Sequence, residues 1–213
     1  MLRLHGYWRS TASYRVRIAL GLKGLRYESA TYDLRIQAHR APAYRSLAPH
    51  GLVPALESDE GMIIESPAIL EWLEERYPSP HLLPPDLEGR AVVRAMAALV
   101  ACDIHPLNNL RVLKALRADF GADQDAIDAW MARWIIEGFT GLEVLVARHG
   151  GAYAYGDQPS LADCLIVPQV YAAERFRVDL TPFPAIRAAA ERARALEAVQ
   201  AAHPDRQPDA DRP

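Results

Sequence analysis

Three short stretches of the 213-residue chain carry residue types that could do chemistry. In Trp8-Arg9-Ser10-Thr11-Ala12-Ser13-Tyr14-Arg15, small hydroxyl residues stand where a strand-like run gives way to a helical one. A helix start offers unpaired N–H groups and a partial positive charge, so it favours an anion. Hydroxyls there can donate to a thiolate and lower the pKa of a bound thiol. On this stretch alone a plain helix cap by Ser10, Thr11 or Ser13 is the favoured account. In Gly51-Leu52-Val53-Pro54-Ala55 a proline precedes a strand, a setting compatible with a cis peptide that presents the backbone of Val53 to a ligand. In Ile64-Glu65-Ser66-Pro67-Ala68 an acid and a hydroxyl again open a helix, with Pro67 in its first turn. Ser66 suits the carboxylate end of an amino acid and Glu65 its ammonium; here too a simple cap remains open.

The elements around these stretches change character near residue 80. Before it, the pattern predicts strands over 2–7, 27–33, 54–57 and 62–64, the last two a hairpin around Ser58-Asp59-Glu60-Gly61. Helices are expected over 14–23, 42–47 and 66–77, giving the order βαβαββα. Residues 78–88 hold four prolines and read as a linker. Everything after it reads as helical: one long helix over 89–116, bent at Pro106, and an apolar stripe running from Ile127 to Val146. Ser160-Leu161-Ala162-Asp163 has the form of a capping box in which Asp163 serves folding, and a last helix is expected over 185–202. The polar, proline-rich tail 204–213 is expected to be poorly ordered.

Half the residues are apolar and the formal charge is −3, so there is no basic field to attract nucleic acid. No apolar run is long enough for a membrane span or a secretory signal. Cys102 and Cys164 lie in apolar helical patterns and read as free buried thiols, with no metal site. A cytoplasmic protein is expected. Arginine heavily outnumbers lysine, which favours two-point recognition of carboxylates.

Taken together, the three stretches and the element order resemble the thioredoxin-like glutathione-binding domain of the soluble glutathione transferases, with 1–80 as that domain and 89–203 as the all-α substrate domain. Within the family the chain resembles the zeta class, through Arg9-Ser10-Thr11-Ala12-Ser13-Tyr14-Arg15-Val16-Arg17, Leu52-Val53-Pro54, Asp103-Ile104-His105-Pro106-Leu107-Asn108-Asn109 and Val178-Asp179-Leu180-Thr181-Pro182. Departures are Ser10-Thr11-Ala12 where members often carry Ser-Ser-Cys, Glu65 for a frequent glutamine, and His50 and Ala48 for glutamine and asparagine.

The resemblance implies a glutathione-dependent cis–trans isomerase of a small dicarboxylate keto acid, maleylacetoacetate being preferred and maleylpyruvate the close alternative, with a general transferase or glutathione-binding protein behind them. It implies catalytic roles for Ser10, with Thr11 beside it, and for Arg9 and Arg175. Glutathione contacts pass to Ser10, His50, Val53, Pro54, Glu65 and Ser66. Substrate contacts pass to Arg9, His105, Asn109, Arg111 and Arg175. A homodimer working in aromatic amino acid catabolism is also implied.

Overall fold

The computed structural model describes residues 1–211. The chain divides into two compact units, Met1–Leu82 with the segment from Arg194 onward, and Leu83–Ala193. Residues 194–203, expected in the helical domain, therefore group with the first unit.

The first unit follows the expected order: β1 (Leu2–Gly6), α1 (Thr11–Leu22), β2 (Tyr27–Thr31), α2 (Pro42–Arg45), β3 (Ala55–Ser58), β4 (Gly61–Ile64) and α3 (Ser66–Arg76). Among the described residues the strands form one sheet in the order β2-β1-β3-β4, with β1 parallel to β2 and the other two pairings antiparallel. This is the thioredoxin-like arrangement. The register fixes where function can sit. His5 pairs with Ala55 and Ala55 with Ile64, so the end of β1, the start of β3 and the end of β4 share one edge row. The three stretches that could do chemistry all leave the sheet at that end.

Helix α1 is buried from Ala12 through Leu20, because α3 packs on it from one side and α9 (Glu197–Ala201) from another. Its two buried arginines cannot be solvated and must find partners inside the unit. The start of the linker is fixed by a buried ion pair. Lys23 Nζ donates to Glu74 at 2.7 Å and to the carbonyls of Tyr77 and Pro80, while Glu74 accepts from Leu82 N–H.

The second unit is helical, with α4 (Leu87–Ala98), α5 (Leu110–Phe120), α6 (Gln124–His149), α7 (Leu161–Arg175) and α8 (Pro184–Arg194), the last residue of α8 opening the returning segment. The stripe on α6 is buried at Ile127, Met131, Ile135, Phe139, Leu142 and Val146. Three expectations are corrected. The single helix over 89–116 is broken: α4 passes into a π-helical turn, Leu99–Ile104, and Pro106 lies in the turn that follows. The widened turn changes which side chains face inward, leaving Val100 and Ile104 buried and Cys102 exposed, so only Cys164 is the buried thiol expected. Gly138 of α6 lies against this turn, and a Cβ there would collide with the Ile104 side chain. The helix expected over 185–202 is likewise two helices, α8 and α9, parted at Ala195-Leu196.

The capping box is present. Asp163 Oδ2 accepts from the N–H and the hydroxyl of Ser160, each at 2.8 Å, and Oδ1 from Ala154 N–H at 2.9 Å. Burial pushes this carboxyl up in pKa against those three donors, so the site depends on all of them being kept. Asp163→Asn turns one acceptor into a donor facing Ser160 N–H and is expected to cost about 2 kcal/mol in urea unfolding.

The tail is ordered as far as it is described. A 3₁₀ turn, Pro204–Arg206, is followed by Gln207, whose amide donates to Ala201 and His203 carbonyls at 2.9 Å each. These local bonds and contacts with the first unit replace the disorder that the composition suggests. Arg212 and Pro213 lie outside the described residues.

Candidate active site

At the shared edge row, β1 runs into a turn, Tyr7 to Ser10, closed by Ser10 N–H to Tyr7 O at 3.1 Å. Ser10 then caps α1: its Oγ accepts from Ser13 N–H at 3.2 Å. The Ser13 hydroxyl accepts in turn from Tyr7 N–H at 3.4 Å. Gly6 permits this, since a Cβ there would come within 3.1 Å of Ser13 Oγ. Capping and catalysis are compatible in Ser10, because the cap uses a lone pair and leaves the hydroxyl proton to donate. Thr11 opens α1 beside it. Arg9, half-buried, stacks its guanidinium over the Trp8 ring at 5.2 Å.

The second stretch has the Val53-Pro54 peptide in the cis form. The N–H and C=O of Val53 make no hydrogen bond to any described backbone group, although the β3 ladder begins two residues later. An extended peptide laid beside Val53 would find one donor and one acceptor at strand spacing.

In the third, Ser66 is 3% exposed and its Oγ accepts from Arg15 Nη1 at 3.1 Å. With the arginine as donor, the serine proton points elsewhere, and Ser66 also stands at the N-terminus of the eleven-residue α3. Glu65 has φ 70 and ψ 118, a backbone conformation costly for any residue with a Cβ, and its side chain is 63% exposed. Its carboxylate lies 3.8 Å from His50 Nε2, while His50 Nδ1 is buried without a hydrogen-bond partner among the described residues. Strain at an exposed acid is not stabilising the fold. Glu65→Gly is expected to unfold at equal or slightly higher urea, by up to about 1 kcal/mol, while KM for glutathione rises about tenfold.

The structure thus brings Ser10, Thr11, Val53, Pro54, Glu65, Ser66 and His50 to one end of one unit. Arg15 was missed in the sequence, because its burial comes only from the packing of α3 and α9 on α1 and leaves no local signal. In the helical unit, His105 follows the π-helical turn and donates its N–H to Val100 O. Asn109 caps α5 by accepting from Arg111 N–H at 3.1 Å, and Arg111 is exposed in the first turn. Arg175 is the exposed last residue of α7, its guanidinium 4.5 Å over the Phe176 ring.

Residues 4–81 match the family model described as glutathione S-transferase, N-terminal domain. A maleylacetoacetate isomerase of Pseudomonas aeruginosa is 51% identical over 211 residues, covering 98% of each chain. A solved maleylpyruvate isomerase, described as a bacterial glutathione S-transferase in zeta class, is also 51% identical, with a TM-score of 0.96 over 98% of this chain and all of that one. A maleylacetoacetate isomerase structure from Anaeromyxobacter dehalogenans with bound GSH in the active site is 46% identical, with a TM-score of 0.91 over 99% and 98% of the two chains. With half of its residues shared over nearly its whole length with proteins of this kind, the chain belongs to the glutathione transferase family, within its zeta class.

Proposed function

We propose that the chain is a glutathione-dependent isomerase converting maleylacetoacetate to fumarylacetoacetate. The observation that carries this reading is the convergence of a capping hydroxyl, an open strand edge and an acid–hydroxyl pair at one sheet end. The cradle fits a γ-glutamyl thiol peptide. Ser66 and the start of α3 suit its α-carboxylate, Glu65 its ammonium, Val53 its central peptide group, and His50 Nδ1 is a buried polar atom awaiting a partner.

When bound, glutathione supplies a thiolate that adds to the cis double bond of a maleyl group and leaves again, so that the bond can rotate while it is single. Ser10 donates its hydroxyl proton toward the sulfur, and the α1 N-terminus favours the negative charge. Thr11 is the second donor in this reading. Arg9 and Arg175 each grip a carboxylate of the dianionic substrate through two N–H donors, with His105, Asn109 and Arg111 as further polar contacts. The reading includes a cytoplasmic homodimer working in aromatic amino acid catabolism, which the family resemblance alone carries.

Maleylpyruvate is the second reading, supported by the likeness to the maleylpyruvate isomerase structure. The absorbance of maleylacetoacetate, followed with and without glutathione, tests the proposal. Turnover that requires glutathione supports it, and a clear preference for maleylpyruvate replaces the substrate. Absence of turnover with either acid, despite glutathione binding, would leave a general transferase or a binding protein.

A further inference from the structure

The segment that follows α9 reaches back to the turn that carries Arg9 and Ser10. Asp209 Oδ2 accepts the N–H of Trp8 at 3.0 Å. The carbonyl of the same residue accepts from Arg17 Nη2 at 3.0 Å, and Arg17 Nε donates to Ala202 O at 2.9 Å. Trp8 is thus held at both its N–H and its C=O, once by the tail directly and once through an arginine that the tail also engages. The tail is braced for this. Gln207 ties it to the end of α9, His203 meets the Tyr14 ring edge-on at 5.9 Å, and Asp211 pairs with Arg35, which grips Asp33 as well.

We infer that Asp209 is a positioning residue for the isomerisation, fixing the Tyr7–Ser10 turn so that the Ser10 hydroxyl stays aimed at the thiol; this rests on the assignment of Ser10 above. The turn has one internal hydrogen bond, Ser10 N–H to Tyr7 O, and Trp8 and Arg9 are its two central residues. Rotation of the Tyr7–Trp8 peptide is opposed by Asp209 at the Trp8 N–H, and rotation of the Trp8–Arg9 peptide by Arg17 at the Trp8 C=O. Any such rotation swings Ser10 directly, because the cap begins at the next residue. Catalytic groups lose rate steeply when displaced by a fraction of an ångström to an ångström. A carboxylate is the stronger acceptor for a loop N–H, since its bond is charge-assisted. Asparagine at this position would still accept.

Full-length Asp209→Ala, Asp209→Asn and Ser10→Ala are compared with the parent in three measurements: kcat and KM for maleylacetoacetate, the pH at which the bound glutathione thiol ionises, and the thermal midpoint. For Asp209→Ala, kcat is expected to fall about tenfold, the thiol to ionise at higher pH, and the midpoint to move little. Asp209→Asn recovers most of the rate and of the thiol ionisation. If Ser10→Ala shifts rate and thiol ionisation while Asp209→Ala moves neither, the positioning role is overturned and the Ser10 assignment stands. Equal losses of midpoint and rate in both Asp209 variants would show a merely structural tail and overturn it too. If Ser10→Ala is itself without effect, the thiolate assignment fails and takes this inference with it.

Discussion

Alanine at position 10 is expected to lower kcat/KM for isomerisation by about a hundredfold and to move the ionisation of the bound thiol to higher pH. A hydrogen bond to a charged group contributes about 1.5–3 kcal/mol, and at a sulfur that must be ionised to react, nearly all of that appears in the rate. The same substitution removes the cap on α1, where Oγ accepts from Ser13 N–H, so about 1 kcal/mol of stability is lost as well. Ser10→Asp separates the two contributions. Aspartate caps as well as serine but sets a negative charge beside the thiolate, so urea unfolding stays near that of the parent while activity is lost. Activity unchanged in Ser10→Ala would transfer the donor role to Thr11.

Arg175→Ala is expected to raise KM for the dianionic substrate about thirtyfold, with kcat changed far less. A bidentate carboxylate grip contributes alike to substrate and transition state, and the loss of such uniform binding is read in KM. Stacking on Phe176 restrains the guanidinium at the end of α7 before any substrate arrives. Because Arg175 is exposed, the variant should unfold within about 0.5 kcal/mol of the parent. Arg175→Lys keeps the charge but not the fork and should recover only part of the loss. Steady-state kinetics at saturating glutathione decide it; an unchanged KM would remove Arg175 from the substrate site.

Where the sequence was legible, local pattern and tertiary structure asked for the same thing. The turn Ser58-Asp59-Glu60-Gly61 between β3 and β4, the helical spacing of Ile69, Leu70 and Leu73, and the capping box at Ser160 each say what the packed protein also needs. The three chemistry-bearing stretches could be recognised as helix starts and a strand start. Their meeting at one sheet edge followed only once β3 was set between β1 and β4. What the pattern did not disclose depends on contacts distant in sequence. Arg15 and Arg17 look like surface residues of an amphipathic helix until α3 and α9 cover them, when they become donors to Ser66 and Ala202. The π-helical turn at Leu99–Ile104 carries no glycine or proline of its own. Its nearest signature is Gly138, more than thirty residues away, whose missing side chain makes room for Ile104. The tail misled through composition, since beside the local bonds of Gln207 its order rests on partners distant in sequence, Trp8 for Asp209 and Arg35 for Asp211.

The first unit is assembled from two separated pieces of chain, with 83–193 intervening. During synthesis, a ribosome adding roughly 5–20 residues per second delivers Met1–Leu82 several seconds before α9 and the residues beyond it. Throughout that interval the carbonyl of Ala202, the acceptor for Arg17, does not yet exist, and the face of α1 that α9 covers stays open to water. The nascent first unit is therefore a sheet and three helices in which Arg17 already holds the Trp8 carbonyl but leaves its Nε to water, and that face of α1 becomes dry only when α9 has left the exit tunnel.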